Sequence, residues 1–222
     1  MPIIAGRCWS RFLEFNAPIS TVTIILRGLA EGSAEECRVN PKLLADLNVR
    51  CRAALKGMKD GGLGTLPGRR VAPFKYVEEP VDKWQLYSAL AEHFAEQMLV
   101  ADCDCLSILW AGFFKLACNL DRVGVGISQP KTRPCCKGNE CSVGDSNASA
   151  PGSGRVCGHG MAHAYNVLGG EMPNWLRRMC VPYGGDEQGL YVFDASVKAG
   201  MSRPSNGFYG SGEHDLRWLR DD

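Results

Sequence analysis

Residues 101–120 form one long apolar segment, which reads ADCDCLSILWAGFFKLACNL. From Leu106 to Leu120, apolar side chains recur at the three- and four-residue spacing of an α-helix. Other apolar residues, such as Ile108 and Phe114, occupy much of the opposite side. Because a helix that is apolar nearly all round is buried, we expect this segment to be the central helix of a domain.

The start of this helix carries a candidate nucleophile. Asp102 is a suitable N-cap, which makes Cys103 the first helical residue. The open backbone N–H groups of a helix N-terminus stabilise negative charge, so we expect a lowered pKa for the Cys103 thiol. A structural thiol at a buried helix start is the alternative. Cys105 points about 200° around the helix from Cys103, which leaves it a packing role or the role of a resolving thiol.

Two strand-like segments further along the chain carry a candidate base and its partner. His163 lies in the segment Ala162–Leu168, and Asp194 lies in the segment Leu190–Val197. An imidazole can take the proton of a thiol and later return it to a leaving group. A carboxylate fixes the tautomer of that imidazole and stabilises its charged form. The sequence therefore predicts a catalytic triad of Cys103, His163 and Asp194.

Other residues compete for these roles. His159 lies four residues before His163, but the glycines on both sides of it favour a loop. His93 and His214 are most simply read as exposed histidines or histidines with their hydrogen bonds satisfied. Taken alone, Asp194 would be read as the cap of a turn.

Four motifs follow one another along the chain: Phe74-Lys75-Tyr76-Val77, Asp102-Cys103-Asp104, His163-Ala164-Tyr165 and Phe193-Asp194-Ala195-Ser196. In this order they resemble motifs of the transglutaminase-like cysteine proteins, a family that tailed bacteriophages often encode. The resemblance covers residues 71–200 of the 222. The chain departs from the family pattern at Ala101, where glycine is usual, and at Cys105, where a second carboxylate is usual.

The resemblance implies an α+β, papain-like fold. In that fold the cysteine stands at the N-terminus of a central buried helix, packed on an antiparallel sheet that carries the histidine and the aspartate. It also implies acyl transfer on an amide of a protein or peptide substrate through a thioester, without a cofactor. A peptidase or amidase is favoured over a cross-linking enzyme. The backbone N–H of Cys103 is the expected oxyanion donor, and Gln85 and Gln97 are weaker side-chain candidates.

A second hypothesis is a structural or assembly protein of a virus particle that keeps the papain-like fold and contacts other virion proteins. The docking elements would be residues 1–70 and the insertion at 129–158, because both lie outside the resemblance. The two hypotheses place the protein in the host cytoplasm or in the virion.

The chain divides by composition into three parts. Residues 1–70 form an N-terminal addition with a strand over Ser20–Leu26 and a helix over Asn40–Lys56. Residues 71–200 form the core, with the glycine-, serine- and cysteine-rich insertion at 129–158, and residues 201–222 form a tail. Within the core we also expect a strand over Phe74–Val77, a helix over Val81–Met98 and a strand over Arg122–Ser128. Between the histidine and aspartate strands, we expect Met172–Gln188 to leave the sheet and return.

The overall composition excludes several classes of partner. Lysine and arginine number 25 against 24 aspartates and glutamates, and the net charge of +1 gives no reason to expect binding to nucleic acid or to an anionic membrane. We also find no run of about 18 apolar residues, the length that a transmembrane helix needs.

Eleven cysteines are many for 222 residues. Their odd number and irregular spacing favour reduced thiols in a cytoplasmic setting. One subset could instead bind zinc or form disulfides within the insertion: Cys135, Cys136, Cys141, Cys157 and His159. Its spacing lacks the paired knuckles of common zinc sites, so we assign no metal-binding residue.

Overall fold

The computed structural model describes residues 18–59, 65–66, 69–70, 74–76, 84–93, 99–129, 163–184, 189–198, 209–210 and 213–220. Within these residues the fold combines α-helices with a five-stranded antiparallel sheet, so the predicted α+β class is confirmed. No helix in these ranges combines the length and the hydrophobicity that a segment needs to span a lipid bilayer.

Helices dominate the first half of the described chain and strands the second. The first half contains, in order, α1 Ile19–Val39, α2 Pro41–Lys59, β1 Thr65–Leu66, β2 Arg69–Arg70, β3 Phe74–Tyr76, α3 Tyr87–His93, β4 Leu99–Ala101 and α4 Cys103–Gly112, which continues as a π-helical turn, Phe113–Ala117. The second half contains β5 Arg122–Gln129, β6 His163–Gly169, α5 Asn174–Arg177, β7 Val181–Pro182, β8 Tyr191–Phe193, α6 Ala195–Lys198 and β9 Glu213–Trp218.

Helix α4 is buried at the centre of the fold, as predicted. Every residue from Asp104 to Gly112 is buried. The helix packs against α1 and against β6, while α1 also covers β5 and β9, so the two helices form one layer on one face of the sheet. Burial of each large apolar side chain stabilises the fold by about 2 to 3 kcal/mol, so the buried side chains of this helix contribute strongly to the stability of the layer.

The N-terminal segment differs from its prediction. The β-branched run Ser20–Leu26 was predicted to be a strand, but it lies within α1. The buried residues of α1 recur at helical spacing through Val22, Leu26 and Ala30, so packing against α4 overrides the strand propensity of the run. The hydroxyl of Thr23 donates to the carbonyl of Ile19 at 2.8 Å, which satisfies that polar group inside the helix.

The helix predicted over Asn40–Lys56 is confirmed as α2, which spans Pro41–Lys59. The side-chain oxygen of Asn40 accepts hydrogen bonds from the backbone N–H groups of Lys42 and Leu43, at 3.2 and 3.3 Å. Pro41 occupies the first helical position. Both features fit the N-cap chemistry that predicted this helix.

The helix before α4 begins later than predicted. A helix was expected from Val81 to Met98, yet residues 84–86 are not helical and α3 begins at Tyr87, while residues 81–83 and 94–98 lie outside the described residues. The backbone N–H of Tyr87 donates to the hydroxyl of Ser33 on α1 at 2.9 Å, and this bond caps the helix start from another element. The predicted strand at Phe74 is confirmed as β3, which pairs in parallel with β4.

The main sheet has the strand order β7-β8-β6-β5-β9, and all its neighbours are antiparallel. Strands β5 and β6 pair along their whole length, from Arg122↔Gly169 to Ser128↔His163. Strands β6 and β8 pair only from Asn166↔Phe193 to Leu168↔Tyr191. The predicted strands Arg122–Ser128 and Ala162–Leu168 therefore correspond to the two central strands.

Two predictions for the C-terminal third are only partly right. The strand expected over Leu190–Val197 ends at Phe193, and Ala195–Lys198 is helical. The expected excursion between His163 and Asp194 does leave and return, through α5 and through β7, which pairs with β8. Residues 185–188 of that excursion lie outside the described residues.

Residues 201–222, which were predicted to form a tail, contribute a strand to the sheet. Its strand β9 pairs with β5 from Gly124↔Trp218 to Gln129↔Glu213. Most of the predicted insertion, residues 130–158, lies outside the described residues, as do residues 1–17 of the N-terminal addition.

Candidate active site

One end of the sheet collects the predicted site residues. Because neighbouring strands are antiparallel, the end of β5, the start of β6 and the end of β8 lie at the same edge. His163 is the first residue of β6, and Asp194 directly follows β8. The N-terminus of α4 reaches this edge as well, because Cys103 contacts the backbone of Ala164.

The histidine and the aspartate are in direct contact. Nε2 of His163 lies 2.8 Å from Oδ2 of Asp194, and only 7% and 6% of the two residues are exposed. The carboxylate accepts the bond from the imidazole, so Nδ1 is the ring nitrogen that would receive a proton from a nucleophile. The structure thus brings together two of the three residues predicted for the triad by a hydrogen bond.

Aromatic packing fixes the position of this aspartate. Phe193, the residue before it, is fully buried, and its ring centroid lies 4.8 Å from that of Trp110 and 4.9 Å from that of Phe114. The central helix and its π-helical turn therefore fix the position of the end of β8. A second link is made by Asn166 on β6, whose side-chain amide donates to the carbonyl of Ser107 on α4 at 2.9 Å.

Cys103 is the first residue of α4, as predicted, and its thiol is not in a disulfide. Asp102 is the N-cap, and its carboxylate accepts the backbone N–H of Cys105 at 3.3 Å. The sulfur of Cys103 accepts a hydrogen bond from the backbone N–H of Ala164. The thiol is therefore seated beside the strand residue that follows His163.

The protonation of this thiol differs from the prediction. Burial raises the pKa of Cys103 well above the ordinary value, and the negative charges of Asp104, Asp102 and Asp194 raise it further. The hydrogen bond from Ala164 lowers the pKa but does not compensate. The pKa of Cys103 is therefore shifted in the direction opposite to the prediction, because burial of the thiol, together with the nearby carboxylates, outweighs the favourable effect of the helix N-terminus.

Cys105 is fully buried and belongs to the hydrophobic core, which agrees with the packing role considered for it. Within the described part of the chain, Asp102, Asp104 and Cys105 form a group whose potential ligand atoms lie within 4.8 Å of one another. The carboxylate of Asp102 is already used as the helix cap. We assign no metal to this group.

Tyr209 is a site residue that the sequence reasoning missed. Its hydroxyl donates to Oδ2 of Asp194 at 2.6 Å, the same oxygen that holds His163. Tyr209 is buried and lies just before β9, in the segment read as a tail. The available signal was an aromatic pair in a glycine-rich run, NGFYGSG, directly before an alternating strand.

Hydrogen bonds behind Tyr209 join it to the two central strands. The backbone N–H of Gly210 donates to the hydroxyl oxygen of Ser128 at 3.1 Å and to that of Tyr165 at 3.3 Å. These two hydroxyls also bond each other at 2.5 Å. The ring of Tyr165 lies across Gly126, where an added Cβ would stand 2.5 Å from the ring, so a larger residue at this position would have to displace the ring.

The other candidate residues from the sequence lie at or next to α3 and β9, or outside the described residues. Gln85 is partly buried before α3, and His214 lies exposed on β9, 6.5 Å from the ring of Tyr183. His93 ends α3. Gln97, His159 and the cysteines of the insertion are outside the described residues.

No family model, curated protein or solved structure matches this chain.

Proposed function

We propose that this protein is a cysteine-nucleophile acyl-transfer catalyst, a peptidase or amidase with a papain-like, transglutaminase-type core. Cys103 is the nucleophile, His163 the general base and acid, and Asp194 the residue that orients the imidazole. The observation that carries the proposal is the buried 2.8 Å bond between Nε2 of His163 and Oδ2 of Asp194, beside a cysteine at a helix N-terminus. This is the arrangement of base and orienting group that nucleophilic catalysis needs.

The raised pKa of Cys103 determines the first step. The thiol is protonated at neutral pH, so it becomes a nucleophile only when its proton moves to Nδ1 of His163. The resulting imidazolium is stabilised by Asp194 through Nε2. The N–H of Ala164 already points at the sulfur and stabilises the thiolate as it forms.

The thiolate then attacks the carbonyl carbon of an amide. The carbonyl oxygen becomes an oxyanion, and the backbone N–H of Cys103, which has no acceptor within its own helix, is the expected donor to it. The imidazolium gives its proton to the departing amine, which leaves a thioester on Cys103. His163 next takes a proton from water, the hydroxide attacks the thioester, and the acid is released as the thiol regains its proton.

Site-directed alkylation tests the assignment of the nucleophile. The folded protein is treated with iodoacetamide at pH 8, and the modified cysteine is mapped by mass spectrometry. We expect modification at Cys103 that disappears in Cys103→Ala and persists in the matched variant Cys105→Ala, because Cys105 is sealed in the core. Equal modification of both variants elsewhere in the chain, with none at Cys103, would contradict the proposal.

A second candidate function is a virion structural or assembly protein that keeps the fold without the chemistry. The observation that favours it is the raised pKa of Cys103, which an unreactive structural thiol would share. Ester turnover separates the two functions. The catalyst releases 4-nitrophenolate from 4-nitrophenyl acetate at a rate that Cys103→Ala abolishes, whereas an assembly protein shows the same slow background in both.

A further inference from the structure

The carboxylate of Asp194 serves two donors through one oxygen. Nε2 of His163 lies 2.8 Å from Oδ2, and the hydroxyl of Tyr209 lies 2.6 Å from the same atom. Hydrogen bonds to a charged carboxylate are strong, and two donors on one oxygen share its negative charge. The strength of the bond to His163 therefore depends on the bond from Tyr209.

The backbone on both sides of this hydroxyl is tied down. The carbonyl of Tyr209 accepts the backbone N–H of Gly184 at 3.0 Å, and the next N–H along the chain, that of Gly210, is held by Ser128 at 3.1 Å. The ring packs edge to face on Tyr165, with centroids 4.9 Å apart. Contacts from separate elements thus fix the direction of the Tyr209 hydroxyl. A tyrosine that only filled space in the core would not need its hydroxyl to be oriented in this way.

We propose that Tyr209 is a positioning residue of this site. Its hydroxyl holds the carboxylate of Asp194 in the plane that meets the imidazole, and it limits the pull of that carboxylate on the Nε2 proton of His163. The inference rests on the proposed function, because it assigns Tyr209 to the same His163–Asp194 pair. Through Tyr209, residues next to β9 become part of a site whose other members lie on α4, β6 and β8.

The test compares Tyr209→Phe with the matched change Tyr191→Phe. Tyr191 is a partly buried tyrosine on β8, the strand that Asp194 follows, and the guanidinium of Arg177 lies 5.5 Å from the centroid of its ring. The first readout is the proton NMR resonance of the Nε2–H of His163, assigned by its loss in His163→Gln. We expect this resonance to move downfield in Tyr209→Phe and to stay in place in Tyr191→Phe, because loss of the Tyr209 donor strengthens the bond from Nε2 of His163 to Oδ2 of Asp194.

The second readout is turnover of 4-nitrophenyl acetate. We expect kcat to fall about tenfold in Tyr209→Phe with little change in KM, the size of one lost hydrogen bond to a charged group. Tyr191→Phe should stay within about twofold of the original rate, because it leaves the hydrogen bonds from His163 and Tyr209 to Asp194 in place.

The outcomes separate this inference from the proposed function. If the original protein turns over the ester but Tyr209→Phe matches Tyr191→Phe in both readouts, the inference is overturned and the function stands. If no form of the protein turns over the ester, the function fails, and the NMR resonance alone decides the role of Tyr209.

A further variant tests the inference if Tyr209→Phe does not fold. Tyr165→Phe removes one of the two hydroxyl acceptors of the Gly210 N–H and keeps the hydroxyl of Tyr209. A smaller downfield movement of the His163 resonance in this variant supports the inference, and an unmoved resonance contradicts it.

Discussion

The two sides of the candidate site are built by different means. The thiol of Cys103 is placed by a helix that is buried along almost its whole length. The imidazole and the carboxylate are placed at strand ends, where hydrogen bonds from several elements converge. The helix side should therefore respond to mutation mainly through the free energy of unfolding, and the strand side mainly through the rate of the chemistry.

The largest effect is expected from truncation on the helix side. Trp110→Ala removes a fully buried ring that contacts Phe113, Phe114 and Phe193. We expect a loss of about 3 to 5 kcal/mol in the free energy of unfolding, measured by urea denaturation. The exposed Val49→Ala on α2 is the control and should change it by less than about 0.5 kcal/mol. A loss below about 1 kcal/mol in Trp110→Ala would show that α4 is not the packing centre.

A smaller effect is expected on the strand side, and it should fall on the rate. Asp194→Ala removes the acceptor of both His163 and Tyr209. We expect ester turnover to fall by about a hundredfold, the lower range of acid–base catalysis, while circular dichroism shows that the fold is kept. Asp121→Ala, an exposed aspartate beyond the π-helical turn, should leave the rate unchanged. Equal rates for both variants would remove the distinction between the two sides.

The smallest effect concerns the charges around the thiol. Because the pKa of Cys103 is raised, the thiolate fraction is low at pH 7, and alkylation by iodoacetamide should keep accelerating as pH rises past the ordinary range of a thiol. Asp104→Asn removes one of the charges that raise this pKa, so we expect alkylation at pH 7 to become several-fold faster. The exposed Glu35→Gln on α1 is the matched control. An unchanged rate in Asp104→Asn would show that burial alone sets the pKa.

The helix side was largely predictable from the sequence. A run of this length that is apolar nearly all round at helical spacing predicts a buried helix, and Asp102 before it has the chemistry of a cap. The central strands β5 and β6 were also found from alternation, as was the position of His163 at a strand start. These features depend on local pattern, which a single sequence carries.

Two misses came from interactions between distant segments. The run Ser20–Leu26 has the composition of a strand, but the partner that makes it helical is α4, about 80 residues away in the chain. The role of Tyr209 depends on a turn that crosses the end of the sheet to reach Asp194, and no local pattern reports such a crossing.

The raised pKa of Cys103 was missed for a related reason. The helix N-terminus was visible in the sequence, and so were the aspartates beside it, but the degree of burial was not. Since burial is the larger cause, the sign of the shift could be read only once the neighbours of the thiol were known.

The short pairing of β6 with β8 determines which backbone N–H group is available to the thiol of Cys103. The ladder stops at Asn166↔Phe193, and two residues further the opposite chain has already turned into α6. Continued pairing would have engaged the amide of Ala164 in an ordinary sheet contact. Because the ladder ends early, that amide is left over as a spare donor, and it faces a sulfur atom. Lengthening the pairing of β8 by two residues would take this donor away from the thiol without replacing Cys103, His163 or Asp194.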